Sequence, residues 1–350
     1  MCAATGRARP QVLIAGAEFA HQAQEIEALV DVADTLIVSR HASAPELCQA
    51  IRNADLLMVD MAPVSREVIE AAPRLRAIVQ YGTGVDHIDM GAATDHGICV
   101  CNTPEAVCTE VAEHAVGLLI AQARRIVEAS YDVQHAGRWD KYGSRFTPKR
   151  LSGSVLALIG FGRVGREVYR LTSGIGFGII VHDPFLTADQ VAAATSGQAS
   201  LGEELHSVLA QADFVLVQVQ LTPATRHLIG REALAAMKPS AYLVNTSRGG
   251  VIDEEALRQA LVLGQIAGAA LDVMDQEPPP ANHPLLSRSD VIITPHIAWK
   301  SEVAEYNIEM QAVAEARRIL LGQTPHSVLN RGALVQRAQT TTASSDPSSG

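Results

Sequence analysis

The chain has 350 residues, 47% of them apolar and 19% charged, with a formal net charge of −10 at pH 7. This length exceeds one typical core and suits two domains of roughly 150 residues each. The acidic balance argues against a nucleic-acid surface or an anionic membrane face, which both need a basic patch, and no run of about 18 apolar residues marks a transmembrane helix. The first sixteen residues, MCAATGRARPQVLIAG, carry arginines but only a short apolar run ending in glycine. That pattern reads as a first strand rather than a signal peptide, and a cytoplasmic protein is expected.

In chain order, apolar runs alternate with helical patterns, the signature of parallel α/β units. The first strands are expected at 11–16, 34–39, 55–60, 76–82 and 98–102. A second set is expected at 154–160, 178–183, 213–219, 241–246, 267–273 and 290–295. Their continuous apolar character implies sheets covered on both faces by helices. Residues 109–134 read as one long helix between the sets, and 301–321 as another after the last strand. Two helices bracketing the second set predict a domain inserted into another: 1–103 with 297–330, and 104–296. The polar, low-complexity 331–350 is expected to be a disordered tail. Cys99, Cys101 and Cys108 match no standard zinc spacing, so no metal is expected. Small apolar residues, reduced in cytoplasm, explain the cysteines better.

The strand at 154–160 runs into Gly160-Phe-Gly162-Arg-Val-Gly165 and then a helical pattern. A lone G-x-G-x-x-G is weak, but here it has the strand before and the helix after that a dinucleotide site requires. Gly160 permits the tight turn, Gly162 lets a pyrophosphate approach, and Gly165 lets helix pack on strand. Arg163 and Val164 open the helix whose N-terminus would face the phosphates. Asp183 ends the next strand, where a carboxylate would bond the adenosine ribose and repel a 2′-phosphate. No arginine follows it, so NAD is favoured over NADP. Alone, Asp183 could equally be a turn aspartate.

Arg248, Glu277 and His296 each follow a strand of the second set. In an open parallel sheet the ligand crevice lies outside the carboxyl ends of the strands, so the three would converge. Arginine grips a carboxylate with a planar two-pronged donor. Histidine exchanges a proton near neutral pH, and a glutamate beside it favours the imidazolium. The set fits reduction of a 2-keto acid, or the reverse oxidation. Singly, each has an ordinary explanation: a phosphate-binding arginine, a surface glutamate before prolines, a loop histidine. Their joint placement on one nucleotide-binding sheet favours the chemical one.

The motifs YGTGVDHID (81–89), TEVAEH (109–114), GFGRVG (160–165), LTPATRHLI (221–229), NTSRGGVIDEEAL (245–257), GAALDVMDQEP (268–278) and TPHIA (294–298) resemble those of the D-isomer-specific 2-hydroxyacid dehydrogenases. They occur in family order over roughly residues 50–330. The phosphoglycerate dehydrogenase-like and C-terminal-binding-protein-like subgroup is the most similar. The resemblance implies a Rossmann NAD-binding domain inserted into a flavodoxin-like substrate domain, both doubly wound on parallel sheets. It implies Arg248, Glu277 and His296 as catalytic residues and an NAD-dependent oxidoreductase acting on a small 2-keto or 2-hydroxy acid. It adds Thr83 and Gly84, with Arg248, for the substrate carboxylate. Thr109, Thr246 and Asp272 would border the nicotinamide, with Asp272 holding the carboxamide. Trp299 would shape the substrate pocket, interdomain packing being an equal explanation. A homodimer through the helix at 109–134 follows by the same resemblance. An NAD(H)-sensing corepressor-like binding protein is the alternative function. Where relatives often carry His-x-Pro, this chain has Gln218-Val219-Gln220, expected on the adenine side. The chain is short for a phosphoglycerate dehydrogenase with a regulatory domain, so no serine-sensing module is expected.

Overall fold

The computed structural model describes residues 9–15, 21–38, 42–141 and 147–333. The expected disordered tail lies outside the described residues from 334 onward. Two compact units emerge, Met1–Val107 with Ser301–Gly350, and Cys108–Lys300. The division thus falls at 107/108 and 300/301, a few residues beyond the 103/104 and 296/297 read from the sequence.

The first unit runs β1 (Gln11–Ala15), α1 (Gln22–Leu29), β2 (Asp34–Val38), α2 (Ala44–Ala50), β3 (Leu56–Val59), α3 (Arg66–Glu70), β4 (Ala77–Gln80), α4 (Met90–Asp95) and β5 (Cys99–Cys101). Its five strands pair in parallel in the order β2-β1-β3-β4-β5, the flavodoxin-like winding. The second unit runs α5 (Cys108–Ala123), α6 (Ile126–Gln134), β6 (Val155–Ile159), α7 (Arg163–Thr172), β7 (Gly178–His182), α8 (Ala188–Thr195), β8 (Ala199–Leu201), α9 (Leu205–Gln211), β9 (Phe214–Val217), α10 (Arg231–Ala236), β10 (Tyr242–Asn245), α11 (Glu254–Val262), β11 (Gly268–Leu271) and β12 (Val291–Ile293). Its seven strands order as β12-β11-β10-β9-β6-β7-β8, all parallel. Read from β8, this is the Rossmann winding, with its switch point between β6 and β9. The chain then returns to the first unit as α12 (Ala304–Leu320).

Continuous apolar strands do what the sequence predicts, because both sheet faces are covered. In the second unit Ala157, Ile159, Val215, Val217 and Leu243 join one apolar layer. The alternate residues Leu156, Leu158, Phe214, Leu216 and Val244 join the other. Successive side chains of a strand point to opposite faces, so no polar face remains.

Three expectations differ from the structure. The single helix at 109–134 is two helices, α5 and α6, broken at Arg125, whose φ is +55°. The Ala123 carbonyl, which a continuous helix would give to Val127, accepts instead from the Lys149 N–H at 2.8 Å. The last helix starts at Ala304 rather than 301, because Ser301 Oγ takes the Ala304 N–H at 3.1 Å. Strand β8 was not expected; its three residues, ASL, are too short to show a period.

Two local features position ligand-facing turns. After β10, Asn245 builds the turn: its Oδ1 accepts from the Ser247 N–H and Oγ, and its Nδ2 donates to the Arg248 carbonyl. Gly249 follows because a Cβ there would stand 1.9 Å from the Met274 carbonyl carbon. The loops after β10 and β11 therefore meet backbone to backbone, which any side chain would prevent.

In the first unit, Tyr81 follows β4 and its hydroxyl donates to Glu25 Oε1 on α1. Glu25 and Glu309 of α12 are both fully buried. Among the described residues nothing bonds Glu25 Oε2 or Glu309 Oε2. Burial, opposed by the tyrosine hydrogen bond and reinforced by Glu309, pushes the Glu25 carboxyl from its ordinary 4.5 up to about 7. A carboxyl that holds its proton more tightly when folded stabilises fully below pH 4.5 and loses that contribution as pH rises through about 7. The loss amounts to about 3 kcal/mol at most. Glu25→Gln is therefore expected to flatten the fall in melting temperature between pH 5 and pH 8, measured by differential scanning fluorimetry. An equal fall in variant and wild type would contradict this account of Glu25.

Candidate active site and cofactor cradle

The glycine turn between β6 and α7 has the expected geometry. Gly160 sits at φ +92°, and a Cβ on it would come within 2.4 Å of the Gln218 carbonyl oxygen. A Cβ on Gly165 would come within 2.4 Å of the Gly160 carbonyl oxygen, so helix and turn touch through bare backbone. Gly162, the N-cap of α7, has nothing within 4 Å of where its Cβ would be. That open space lies at the helix N-terminus, where the first N–H groups have no intrahelical acceptor. Arg163 and Val164 begin the helix, Arg163 exposed and Val164 half-buried. The cradle therefore fits a pyrophosphate.

Asp183 follows β7. Its Oδ2 accepts the Phe161 N–H of the glycine turn at 2.9 Å and its Oδ1 accepts the Phe185 N–H at 3.1 Å. Two oxygens offer about four acceptor positions, so room remains for ribose hydroxyls. Gln218 follows β9, beside Gly160, and its Nε2 donates to Thr246 Oγ1. It bridges the glycine turn and the β10 turn, a place the sequence did not assign to it.

Three strand ends of the same sheet carry the candidate catalytic groups. Arg248 extends from the β10 turn, and its Nη1 donates to the Ser247 carbonyl at 2.8 Å. Glu277 lies in the loop after β11, where its Oε1 accepts the Met274 N–H at 2.9 Å. Its Oε2 lies 2.6 Å from His296 Nδ1, an ion pair when the ring is charged. Partial burial would raise the Glu277 carboxyl. The His296 hydrogen bond and charge, the Met274 N–H and the Arg248 charge outweigh it and hold Glu277 below its ordinary value. The structure thus brings His296 and Glu277 into direct contact and sets Arg248 in their field.

His296 is held at φ +53°, in the left-handed region that residues other than glycine rarely adopt. Asp272 keeps it there. Its carboxylate is 1% exposed and accepts the Ile297 N–H at 3.0 Å, the Ala298 N–H at 2.8 Å and the Thr294 hydroxyl at 2.5 Å. Its backbone carbonyl accepts the His296 N–H at 2.8 Å. Trp299 closes the same loop, its indole N–H donating to the His296 carbonyl at 3.0 Å. Asp272 and Trp299 therefore shape the backbone that aims His296, a task the sequence had not suggested for either. Thr109 is exposed on the first turn of α5, and Thr246 is buried at the end of β10.

In the first unit, the turn after β4 carries Thr83 and Gly84. Gly82 has φ +95°, and its N–H donates to Thr103 Oγ1 at 2.7 Å. Asn102 Nδ2 donates to the Thr83 carbonyl at 2.8 Å. Asn102 and Thr103, both buried, thus fix this turn. Sequence reasoning missed both.

Residues 116–298 match the model of the family described as D-isomer specific 2-hydroxyacid dehydrogenase, NAD binding domain. A D-3-phosphoglycerate dehydrogenase of Methanocaldococcus jannaschii is 41% identical over 81% of this chain and 53% of its own length. A glyoxylate reductase of Thermofilum pendens is 39% identical over 84% of this chain and 87% of its own. The chain spans about half the length of the phosphoglycerate dehydrogenases it matches. The crystal structure of a glyoxylate reductase from Paecilomyes thermophila superposes with a TM-score of 0.84 at 28% identity, covering 93% of this chain and 99% of that one. Nothing in these matches favours the corepressor-like alternative. With the glycine cradle, the His296–Glu277 pair and the two windings, they show that the chain belongs to the D-isomer-specific 2-hydroxyacid dehydrogenase family and carries its NAD-binding domain.

Proposed function

We propose that the protein is an NAD-dependent oxidoreductase that interconverts a small 2-keto acid and the corresponding D-2-hydroxy acid. The observation that carries this reading is the 2.6 Å contact between His296 and Glu277 beside Arg248, on the sheet that holds the dinucleotide cradle. When bound, the nicotinamide exchanges a hydride with the substrate C2. Arg248 grips the substrate carboxylate and polarises the keto oxygen. His296 gives its proton to that oxygen in reduction and takes it back in oxidation. Glu277 orients the ring through Nδ1, which leaves Nε2 for the substrate, and favours the charged imidazole before transfer. Thr83 and Gly84 offer backbone N–H groups to the carboxylate. Trp299 limits the substrate side chain.

Gly160, Gly162, Arg163, Val164 and Gly165 cradle the pyrophosphate. Asp183 takes the ribose and disfavours a 2′-phosphate, so NADH is preferred over NADPH. Thr109, Thr246 and Asp272 border the nicotinamide. The best substrate is a small 2-keto or 2-hydroxy acid. The protein works as a homodimer through α5, α6 and the segment after them. Ile126, Val127, Tyr131, Val133 and Trp139 support this, being large apolar side chains left exposed there. A reducing cytoplasm suits Cys48, Cys99, Cys101 and Cys108, which form no disulfide among the described residues.

NADH oxidation followed at 340 nm against a panel of 2-keto acids tests the reading. Turnover is expected with glyoxylate or hydroxypyruvate, at least about tenfold better with NADH than with NADPH. Arg248→Ala is expected to cut kcat/KM by about 10²–10⁴ while NADH affinity changes little. Turnover unaffected by that substitution would remove Arg248 from the chemistry. Glu277→Gln keeps an acceptor but loses the charge. The kcat for reduction should then fall by about tenfold or more while NADH affinity changes little. An unchanged kcat would remove the Glu277 charge from the chemistry.

A further inference from the structure

His114 lies on α5, whose inward residues Ala112, Ala115, Val116, Leu118 and Leu119 are apolar and buried. Its Nε2 stands 3.0 Å from Thr294 Oγ1 and 3.5 Å from Asp272 Oδ1. Thr294 Oγ1 is in turn 2.5 Å from Asp272 Oδ1. A hydroxyl has a single proton, and the Asp272 carboxylate is the acceptor for every donor around it. Thr294 must therefore donate to Asp272. Its oxygen is left as an acceptor, so His114 Nε2 carries a proton and donates to Thr294. The donor direction runs one way, from His114 through Thr294 to Asp272. Asp272 is also the group that takes the Ile297 and Ala298 N–H bonds and so holds His296 at its positive φ.

We propose that His114 is a positioning residue for His296, acting through Thr294 and Asp272 on the loop 294–299. This rests on the dehydrogenase reading above. The His114 N–H fixes the rotation of the Thr294 hydroxyl, and a chain of polarised hydrogen bonds in a buried setting strengthens each member. With Thr294 so fixed, the Asp272 carboxylate cannot swing away from the two loop amides. The left-handed turn at His296 is costly on its own and persists only while its surroundings over-determine it. His114 supplies part of that constraint from a helix whose first turn carries Thr109, and so ties the nicotinamide-side helix to the proton donor.

The test uses the full chain with His114→Ala, His114→Gln and Thr294→Val. Amide hydrogen exchange at Ile297 and Ala298, measured without cofactor or substrate, reads the loop directly. Steady-state kinetics reads the consequence. His114→Ala is expected to raise exchange at both amides about tenfold and to lower kcat about tenfold, as for loss of one buried hydrogen bond. NADH affinity and the KM for the acid should stay within about threefold. His114→Gln places an Nε2 donor in similar reach and should restore both readouts. Thr294→Val should reproduce the loss, and combining it with His114→Ala should add nothing further. Should His114→Ala fail to fold, Thr294→Val interrogates the same link. Unchanged exchange and kcat with only a lowered melting temperature would overturn the proposal and leave His114 a plain packing residue. A wild type that turns over no keto acid would instead remove the dehydrogenase reading, while the exchange data would still decide whether His114 constrains the loop.

Discussion

The buried carboxylate of Asp272 is the interaction on which the candidate active site rests. It sits at the end of β11, 1% exposed, and receives two backbone N–H groups and the Thr294 hydroxyl from the segment after β12. A buried carboxylate is costly unless its oxygens are satisfied, so this one and its loop depend on each other. Its bonds bend the backbone into the left-handed turn that puts the His296 ring against Glu277. The Met274 N–H holds Glu277 from the other side, and the cis Glu277–Pro278 bond follows directly. His296 is thus aimed by the backbone of two adjacent strand ends rather than by the freedom of its own side chain. Such pre-organisation is what acid–base catalysis requires.

A second constraint is steric. Three glycines let backbones meet where side chains could not. Gly160 abuts Gln218, Gly165 abuts Gly160, and Gly249 abuts Met274. The first two shape the dinucleotide cradle and the third brings the Arg248 turn against the Glu277 loop. The same close approach sets an arginine at an apolar strand's end, before two glycines. Asn245 shapes the turn, Gly249 allows the close approach, and Arg248 is carried to the edge where the strand ends converge. The Rossmann winding supplies that edge, since all seven strands point their carboxyl ends the same way.

Much of this was legible in the sequence. Continuous apolar runs announce parallel, doubly covered strands, and glycine spacing in a strand–turn–helix context announces the cradle. Residues with a distinctive chemistry, Arg248, Glu277 and His296, stood out because each follows a strand. What stayed hidden were contacts between residues far apart in the chain. His114 and Thr294 meet across 180 positions, and nothing local marks either as a partner of Asp272. Asn102 and Thr103 support the Thr83–Gly84 turn by the same kind of non-local bond. The break between α5 and α6 was equally invisible, because Arg125 is a good helix former and the Lys149 N–H that takes the Ala123 carbonyl comes from a distant segment.

The most direct measurement is the turnover of Asp272→Asn with NADH and the best 2-keto acid, alongside its melting temperature and NADH affinity. Asparagine keeps the shape but turns one acceptor oxygen into a donor facing a loop donor. If Asp272 aims His296, kcat falls by about 10² or more while the protein stays folded and binds NADH. A folded variant with wild-type kcat would show that the loop holds His296 without this carboxylate, and would contradict the account.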